Sequence, residues 1–260
     1  MWYDVFDFDN NNYPITIPIR RNHRLRRSKE IPFEAPERFR WTDIPTGICF
    51  FIALVAIGLA LAINFRPLYY LNISWLKLPE SSGLNAVVIK ENYNALIDYC
   101  SPFYRGDLVF PSIRASASGL AHFADVKHIF NVIYIAGAVS LVFCIVSFII
   151  KHRNKEYKYL LVSGIIALVI PILLVIFSLI NFNKLFLLFH MLVFSDDNWI
   201  FDPATDPIID LLPETYFMEC ALIIAGTVII GAAVVIIRYF ISKKNRKTKQ
   251  LMPLKKNYYY

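Results

Sequence analysis

The sequence predicts an all-α membrane protein with four transmembrane helices. Three observations predict it: an apolar composition, four long uncharged runs, and basic residues gathered beside alternate ends of those runs. Hydrophobic residues are 57% of the 260 and charged residues only 18%, against about 25% charged in soluble domains. The mean hydropathy is +0.47. A soluble core of this size cannot bury so much apolar side chain, and the same composition excludes disorder.

The uncharged runs are Ile44 to Phe65 (22 residues), Ile129 to Ile150 (22), Tyr159 to Asn183 (25) and Cys220 to Ile237 (18). Each is near the roughly 20 residues a helix needs to cross a bilayer core. Lipid offers no partner to a bare N–H or C=O, so each span must be helical. The spans are placed at 44–65, 129–150, 159–183 and 216–241, with outer loops 66–128 and 184–215. Pro171 removes a backbone bond within the third span and predicts a kink there. The fourth carries small residues at helical spacing, Ala221, Ala225, Thr227 and Gly231, which suits close helix contact. Ala60-Leu61-Ala62 resembles a signal cleavage site. The first run nevertheless reads as a span, because it is preceded by 43 residues.

Charge sets the orientation. Of 27 basic residues, 20 lie in the N-terminal extension 1–43, in the 151–158 connection, or from Arg238 onward through the tail 242–260. Cytoplasmic segments carry the Lys/Arg excess, so both termini are expected inside and both long loops outside. The basic extension and tail are read as topology signals attracted to anionic lipid. Aromatic interleaving is poor in the basic run Arg20 to Lys29, and no nucleic-acid partner is expected. The sequence contains no P-loop, G-x-G-x-x-G or H-E-x-x-H motif. Its four cysteines form no C-x-x-C pair, and no disulfide is expected between Cys100 and Cys220.

The outer loops hold the unusual residues. The first opens with amphipathic material, Leu68 to Leu76, of a kind that lies at the membrane interface. Ala86 to Tyr99 reads as a short helix, broken by Ser101-Pro102-Phe103-Tyr104-Arg105-Gly106. Then Ala121-His122-Phe123-Ala124-Asp125-Val126-Lys127-His128 runs into the second span, which puts His122 and Asp125 on one helical face. The second loop begins with the apolar stretch Leu185 to Phe194, which is too short to span and is expected to be interfacial or re-entrant. His190 sits within it. The loop then turns acidic, with seven of the chain's 20 carboxylates counted through Glu219.

Of five histidines, His23 and His152 lie in basic segments, and His128 is expected to cap the second span. His122 and His190 stand apart, because each lies in an apolar context on the outer side, one per loop. Ionisable groups near membrane depth are costly and tend to be functional. Histidine is the side chain best matched to proton transfer near neutral pH.

These residues carry a resemblance. Glu91-Asn92-Tyr93-Asn94-Ala95-Leu96-Ile97-Asp98-Tyr99, Pro102-Phe103-Tyr104, Ser118-Gly119 and His122-Phe123-x-Asp125-Val126-Lys127 resemble a bacterial four-helix membrane family. So do His190-x3-Phe194-x4-Trp199-x-Phe201-Asp202-Pro203 and Asp206-Pro207-Ile208-Ile209-x2-Leu212-Pro213-Glu214. The family is the lipoprotein intramolecular transacylases, and the resemblance covers roughly residues 45–241. It implies an enzyme of the bacterial plasma membrane, working on the extracytoplasmic side on lipoproteins whose N-terminal cysteine carries diacylglyceryl. The sn-2 acyl chain moves to the cysteine's own α-amine and leaves the lyso form. No cofactor is implied.

The residues suit that chemistry. An α-amine titrates near 7.7–8.0, so a nearby histidine can take its proton as it attacks the ester. The departing glycerol oxygen needs a proton, and a tetrahedral oxyanion needs donors. His122 is assigned as principal acid/base with His190 as its partner. Tyr104, Arg105 and Lys127 are candidate oxyanion donors. Asp125 orients a histidine or the amine, or caps a helix. Trp199 and Asp202 shape the pocket. Two other readings stay open: a metal-dependent hydrolase using His122, Asp125, His190 and Asp202, and a non-enzymatic chaperone or transporter component. The transporter reading is weakened by spans that carry almost no ionisable residue.

Overall fold

Residues 39–255 are described in the computed structural model; most of the predicted N-terminal extension lies outside them. They form eight helices, with no strand among the described residues. Four are long and apolar enough to cross a membrane: α1 (Asp43–Asn64), α5 (Ala117–Arg153), α6 (Lys158–Val193) and α8 (Glu214–Lys255). Between α1 and α5 lie α2 (Arg66–Trp75), α3 (Leu78–Ser82) and α4 (Ala86–Tyr99), and α7 (Ile208–Leu211) lies between α6 and α8.

α5 has 37 residues and α6 has 36, well beyond the roughly 20 that a bilayer core requires. At about 1.5 Å per residue, each projects outside the hydrocarbon. This changes three expectations. The stretch 184–193 is the last part of α6 rather than a re-entrant loop. The N-cap of α5 is Ser116, whose Oγ accepts from the Gly119 amide at 3.0 Å, so neither His128 nor Asp125 caps it. The break in α6 falls at Asn181 and not at Pro171: Asn181 has φ −162° and ψ 93°. Its Oδ1 then accepts from the Lys184 amide at 2.9 Å, so Asn181 restarts the helix as a local N-cap. Pro171 stays within helical geometry because a ring there removes one hydrogen bond without forcing the dihedrals out of range.

α1 is central. It packs against α5, α6 and α8, and α6 packs against α8. Small residues let the backbones approach. A Cβ on Gly137 of α5 would stand 2.2 Å from Ala56 Cβ, and one on Gly58 would stand 2.9 Å from Ile224 Cα. On α8 the predicted small face is used in part. Ala225 is buried, Thr227 lies against Gly58, and Gly231 against Leu54, whereas Ala221 is exposed. The outward faces stay apolar, as with Ile135 and Val139 on α5 and Ile165 and Val169 on α6. In water such surfaces would be an aggregation hazard; in lipid they are solvated.

α2, α3, α4 and α7 form a cap over one end of the bundle, built on a buried core of aromatic and aliphatic side chains. Tyr69 stacks on Tyr93 with ring centroids 3.6 Å apart. The Tyr69 hydroxyl donates to the Leu211 carbonyl at 2.7 Å, and the Tyr93 and Tyr216 hydroxyls lie 2.8 Å apart. Burial pushes the Tyr93 phenol up to about 12, although its hydrogen bond to Tyr216 works the other way. Asn72 also bonds to Glu219 of α8. The expected interfacial segment 68–76 is therefore amphipathic in a stricter sense. Tyr69, Asn72 and Ile73 enter the cap core, while Leu71 and Trp75 remain exposed.

The opposite end is fastened by charge. Lys151 Nζ lies 2.6 Å from Asp43 Oδ1 and 2.9 Å from Thr42 Oγ1, and both ionic side chains are buried. This ties the start of α1 to the end of α5. Breaking one partner of a buried pair leaves an uncompensated charge at a cost of about 3–5 kcal/mol, whereas replacing both is far milder. Asp43→Asn is therefore expected to lower the melting temperature of the detergent-solubilised protein strongly. The double variant Asp43→Asn/Lys151→Met should recover most of the loss. Equal melting of all three proteins would show that the pair contributes nothing.

Candidate active site

The projecting ends of α5 and α6 carry the two outer histidines and bring them together. The rings of His122 and His190 have centroids 6.1 Å apart. His122 lies two turns before the apolar run of α5, and His190 lies near the end of α6, past the Asn181 break. His122 is 5% exposed. Its ring sits 4.6 Å from Phe194 and 5.5 Å from Phe201. His190 packs 4.2 Å from Phe186 and 5.1 Å from Trp199. Two imidazoles thus meet inside a largely aromatic enclosure.

The nitrogens are distinguishable. His190 Nδ1 lies 2.8 Å from the Phe186 carbonyl. A carbonyl only accepts, so Nδ1 carries the hydrogen, and Nε2 of the neutral ring keeps its lone pair. His122 Nδ1 is buried and has no hydrogen-bond partner. No carboxylate forms an ion pair or hydrogen bond with either ring among the described residues.

The other candidates divide. Trp199 joins the histidine pair. Tyr104 and Lys127 form a separate group: Lys127 Nζ donates to the Tyr104 carbonyl at 3.2 Å and sits over the rings of Tyr99 and Tyr104, at 4.1 and 5.1 Å from their centroids. Arg105 and Asp125 are exposed, and neither hydrogen-bonds to a histidine among the described residues. Asp202 makes a turn; its carboxylate accepts from the Ala204 amide at 2.9 Å and its carbonyl from the Thr205 and Asp206 amides. Three ligands for a metal do not converge: no group of three His, Cys, Asp or Glu is placed to hold one among the described residues. The hydrolase reading named four such residues, of which only the two histidines meet.

Sequence reading missed Asp206. It is 2% exposed. Its Oδ1 accepts from the Ser116 amide at 2.7 Å and its Oδ2 from the Thr205 hydroxyl at 2.7 Å. Burial works against the carboxylate, but the Ser116 amide and the Thr205 hydroxyl outweigh it and hold its pKa below the usual range. The bond crosses 90 residues and docks the 195–207 loop on the positive start of α5. Gly119 makes the approach possible: a Cβ there would stand 2.3 Å from Asp206 Oδ1 and 3.1 Å from Phe201 Cε1. One clue was available, since a glycine just after a Ser N-cap offers a backbone surface for close contact. Nothing in the sequence said which segment would use it.

The fold and site define an integral membrane protein with a histidine pair held under an extramembrane cap. The family described as lipoprotein intramolecular transacylase Lit matches residues 44–217, and this chain belongs to that family. A solved structure of the membrane-integral lipoprotein intramolecular transacylase Lit from Bacillus cereus is similar at 33% identity and a TM-score of 0.77, covering 79% of this chain and 96% of the other. Two further structures of the Bacillus cereus protein, each with one histidine replaced, by arginine or by alanine, match at 33% identity and TM-scores of 0.71. They cover 80% and 79% of this chain and 92% and 94% of theirs. No curated protein matches.

Two glycines separate docking from general packing. Gly119→Ala is expected to lower acyl transfer at least tenfold, because Asp206 and Phe201 must move. Gly226→Ala meets nothing within 4 Å and should leave activity unchanged. Asp206 binds fewer protons folded than unfolded. Its contribution to stability is therefore present above the unfolded carboxylate range of about 3.9 and is lost as pH falls below it. Asp206→Asn should flatten the acid limb of the stability profile, measured by melting temperature between pH 3 and 6; an unchanged limb would remove the latch.

Proposed function

We propose that this chain moves an acyl chain within a bacterial lipoprotein, from the sn-2 ester of the diacylglyceryl-cysteine to that cysteine's α-amine, leaving the lyso form. The observation that carries the reading is the pair of imidazoles 6.1 Å apart in a buried aromatic enclosure, in a chain of this family.

The substrate's amine nitrogen attacks the ester carbonyl carbon. A C–N bond forms, and the tetrahedral centre places the amine nitrogen and the glycerol oxygen beside one another. One proton leaves the nitrogen and one proton reaches the glycerol oxygen as its bond to carbon breaks, so the exchange balances without an external acid, base or cofactor. His122 is the principal acid/base, with its buried Nδ1 as the group that the substrate partners. His190, fixed through its Nδ1 by the Phe186 carbonyl, presents Nε2 as the second proton carrier. Two rings can thus serve two atoms of one tetrahedral centre. Holding amine and ester together is worth roughly 7–11 kcal/mol in such reactions, and the aromatic walls exclude competing water. Trp199, a donor-only indole beside His190, and Asp202, which shapes its loop, position the substrate. Tyr104 and Lys127, with the exposed Arg105 and Asp125, line the approach from the cap side.

His122→Ala is expected to abolish lyso-lipoprotein formation and His190→Ala to reduce it by about 10²–10⁴-fold, read by mass spectrometry of the N-terminal lipopeptide. His152→Ala lies at the other end of the bundle and should be neutral. Activity should rise with pH toward the amine's range near 8, since attack requires the neutral amine and a neutral imidazole. Full activity in His122→Ala would overturn the assignment.

The excess of basic residues in the 151–158 connection and beside both termini supports a cap and histidine pair on the extracytoplasmic face of the plasma membrane, with both termini cytoplasmic. A cysteine at the exposed position Ser81 should react with an impermeant maleimide in intact cells, and one at exposed Lys155 should not, in a background without Cys100 and Cys220. The reverse pattern would put the site on the wrong side for lipoprotein maturation.

A further inference from the structure

At the end of the bundle opposite the histidines, a cavity of about 430 Å³ opens between α5, α6 and α8. Its floor is apolar: Phe148, Leu160 and Val235 line it, and the buried Tyr159 closes it. Its rim holds His152, Arg153 and Arg238, all exposed.

Nothing in the described residues neutralises that rim. Asp43 is held by Lys151 and Glu156 by Arg40, at 2.6 and 2.8 Å. Neither Arg153 nor Arg238 forms an ion pair with a carboxylate among the described residues. Arg153 ends α5 and suits that helix's negative end. Arg238 has no such explanation. It lies within α8, which continues to Lys255, so no helix terminus is there to be complemented. Two guanidiniums therefore converge on an apolar crevice without a counter-ion of their own.

We propose that this cavity binds an anionic phospholipid. The headgroup phosphate sits between Arg153 and Arg238, whose planar forks match phosphate oxygens. The acyl chains leave along Ile149 and Val234, exposed apolar residues at its edge. Charge complementarity selects the occupant: a zwitterionic headgroup brings its own cation to a rim that already holds two, while an anionic one does not. Basic pockets between transmembrane helices are established sites for anionic lipid headgroups. The lipid would tie α5, α6 and α8 together at the end where only α1 and α5 share the buried Lys151–Asp43 pair.

The test is native mass spectrometry of the full-length protein released from detergent, with added phosphatidylglycerol, phosphatidylcholine or inorganic phosphate. Wild type is expected to retain phosphatidylglycerol at least tenfold over phosphatidylcholine. Arg153→Gln/Arg238→Gln should lose that preference. Lys155→Gln/Lys244→Gln removes two charges from the same end outside the cavity and should keep it. Excess phosphate should not displace the lipid. Retention by Arg153→Gln/Arg238→Gln, equal loss in both double variants, or displacement by phosphate would each overturn the proposal; the last would assign the rim to a free anion. Melting temperature without lipid checks that both double variants are folded. The readout is independent of acyl transfer.

Discussion

One carboxylate organises the end of this molecule that holds the histidine pair. Asp206 reaches from the loop before α8 to the first turn of α5, accepts the Ser116 amide and lies flush against Gly119. Through it the 195–207 loop, with Trp199 and Phe201, is held over His122. The interaction offsets the burial of the carboxylate with the Ser116 amide, at a helix start where amides lack intrahelical partners, and with the Thr205 hydroxyl. It is also demanding in shape, because any side chain at position 119 would enter the space that the carboxylate fills.

The second constraint is the length of the helices. α5 and α6 continue past the hydrocarbon because helical hydrogen bonding is interrupted only at Asn181 and by the loop before Ser116. Projection carries His122 and His190 beyond the predicted apolar runs 129–150 and 159–183 and into a protein-built aromatic enclosure. A histidine facing lipid directly would be costly. Between Phe194, Phe201 and Trp199 the pair meets an aromatic surface, with His190 Nδ1 on the Phe186 carbonyl and His122 Nδ1 buried without a hydrogen-bond partner.

The two ends of the bundle solve different problems. The cap end is held by packing, by the Tyr69 hydroxyl on the Leu211 carbonyl, by the Tyr93–Tyr216 hydroxyl pair, and by the half-exposed Arg66–Asp98 ion pair between α2 and α4. The other end is held by a buried ion pair and fringed with arginines. Along the middle of α1, small residues allow close backbone contact instead, and a Cβ on Gly137 would stand 2.2 Å from Ala56 Cβ.

The sequence by itself determined the membrane class, the four spans, the helix at Ala86–Tyr99, and His122 and His190 as the reactive candidates. Each of these rests on local properties: run length, periodicity and an ionisable group in apolar surroundings. Only the tertiary structure decided the rest. It brought together two histidines 68 positions apart, put Lys127 with Tyr99 and Tyr104, turned Asp202 to its own loop, and singled out Asp206 from seven carboxylates in one stretch. The kink passed from Pro171 to Asn181 for a similar reason. A proline's cost is set by its own ring, but where a helix breaks depends on what can cap the new start. Pairings across 90 residues leave no periodic trace, because they are selected by which surfaces meet once the helices have packed.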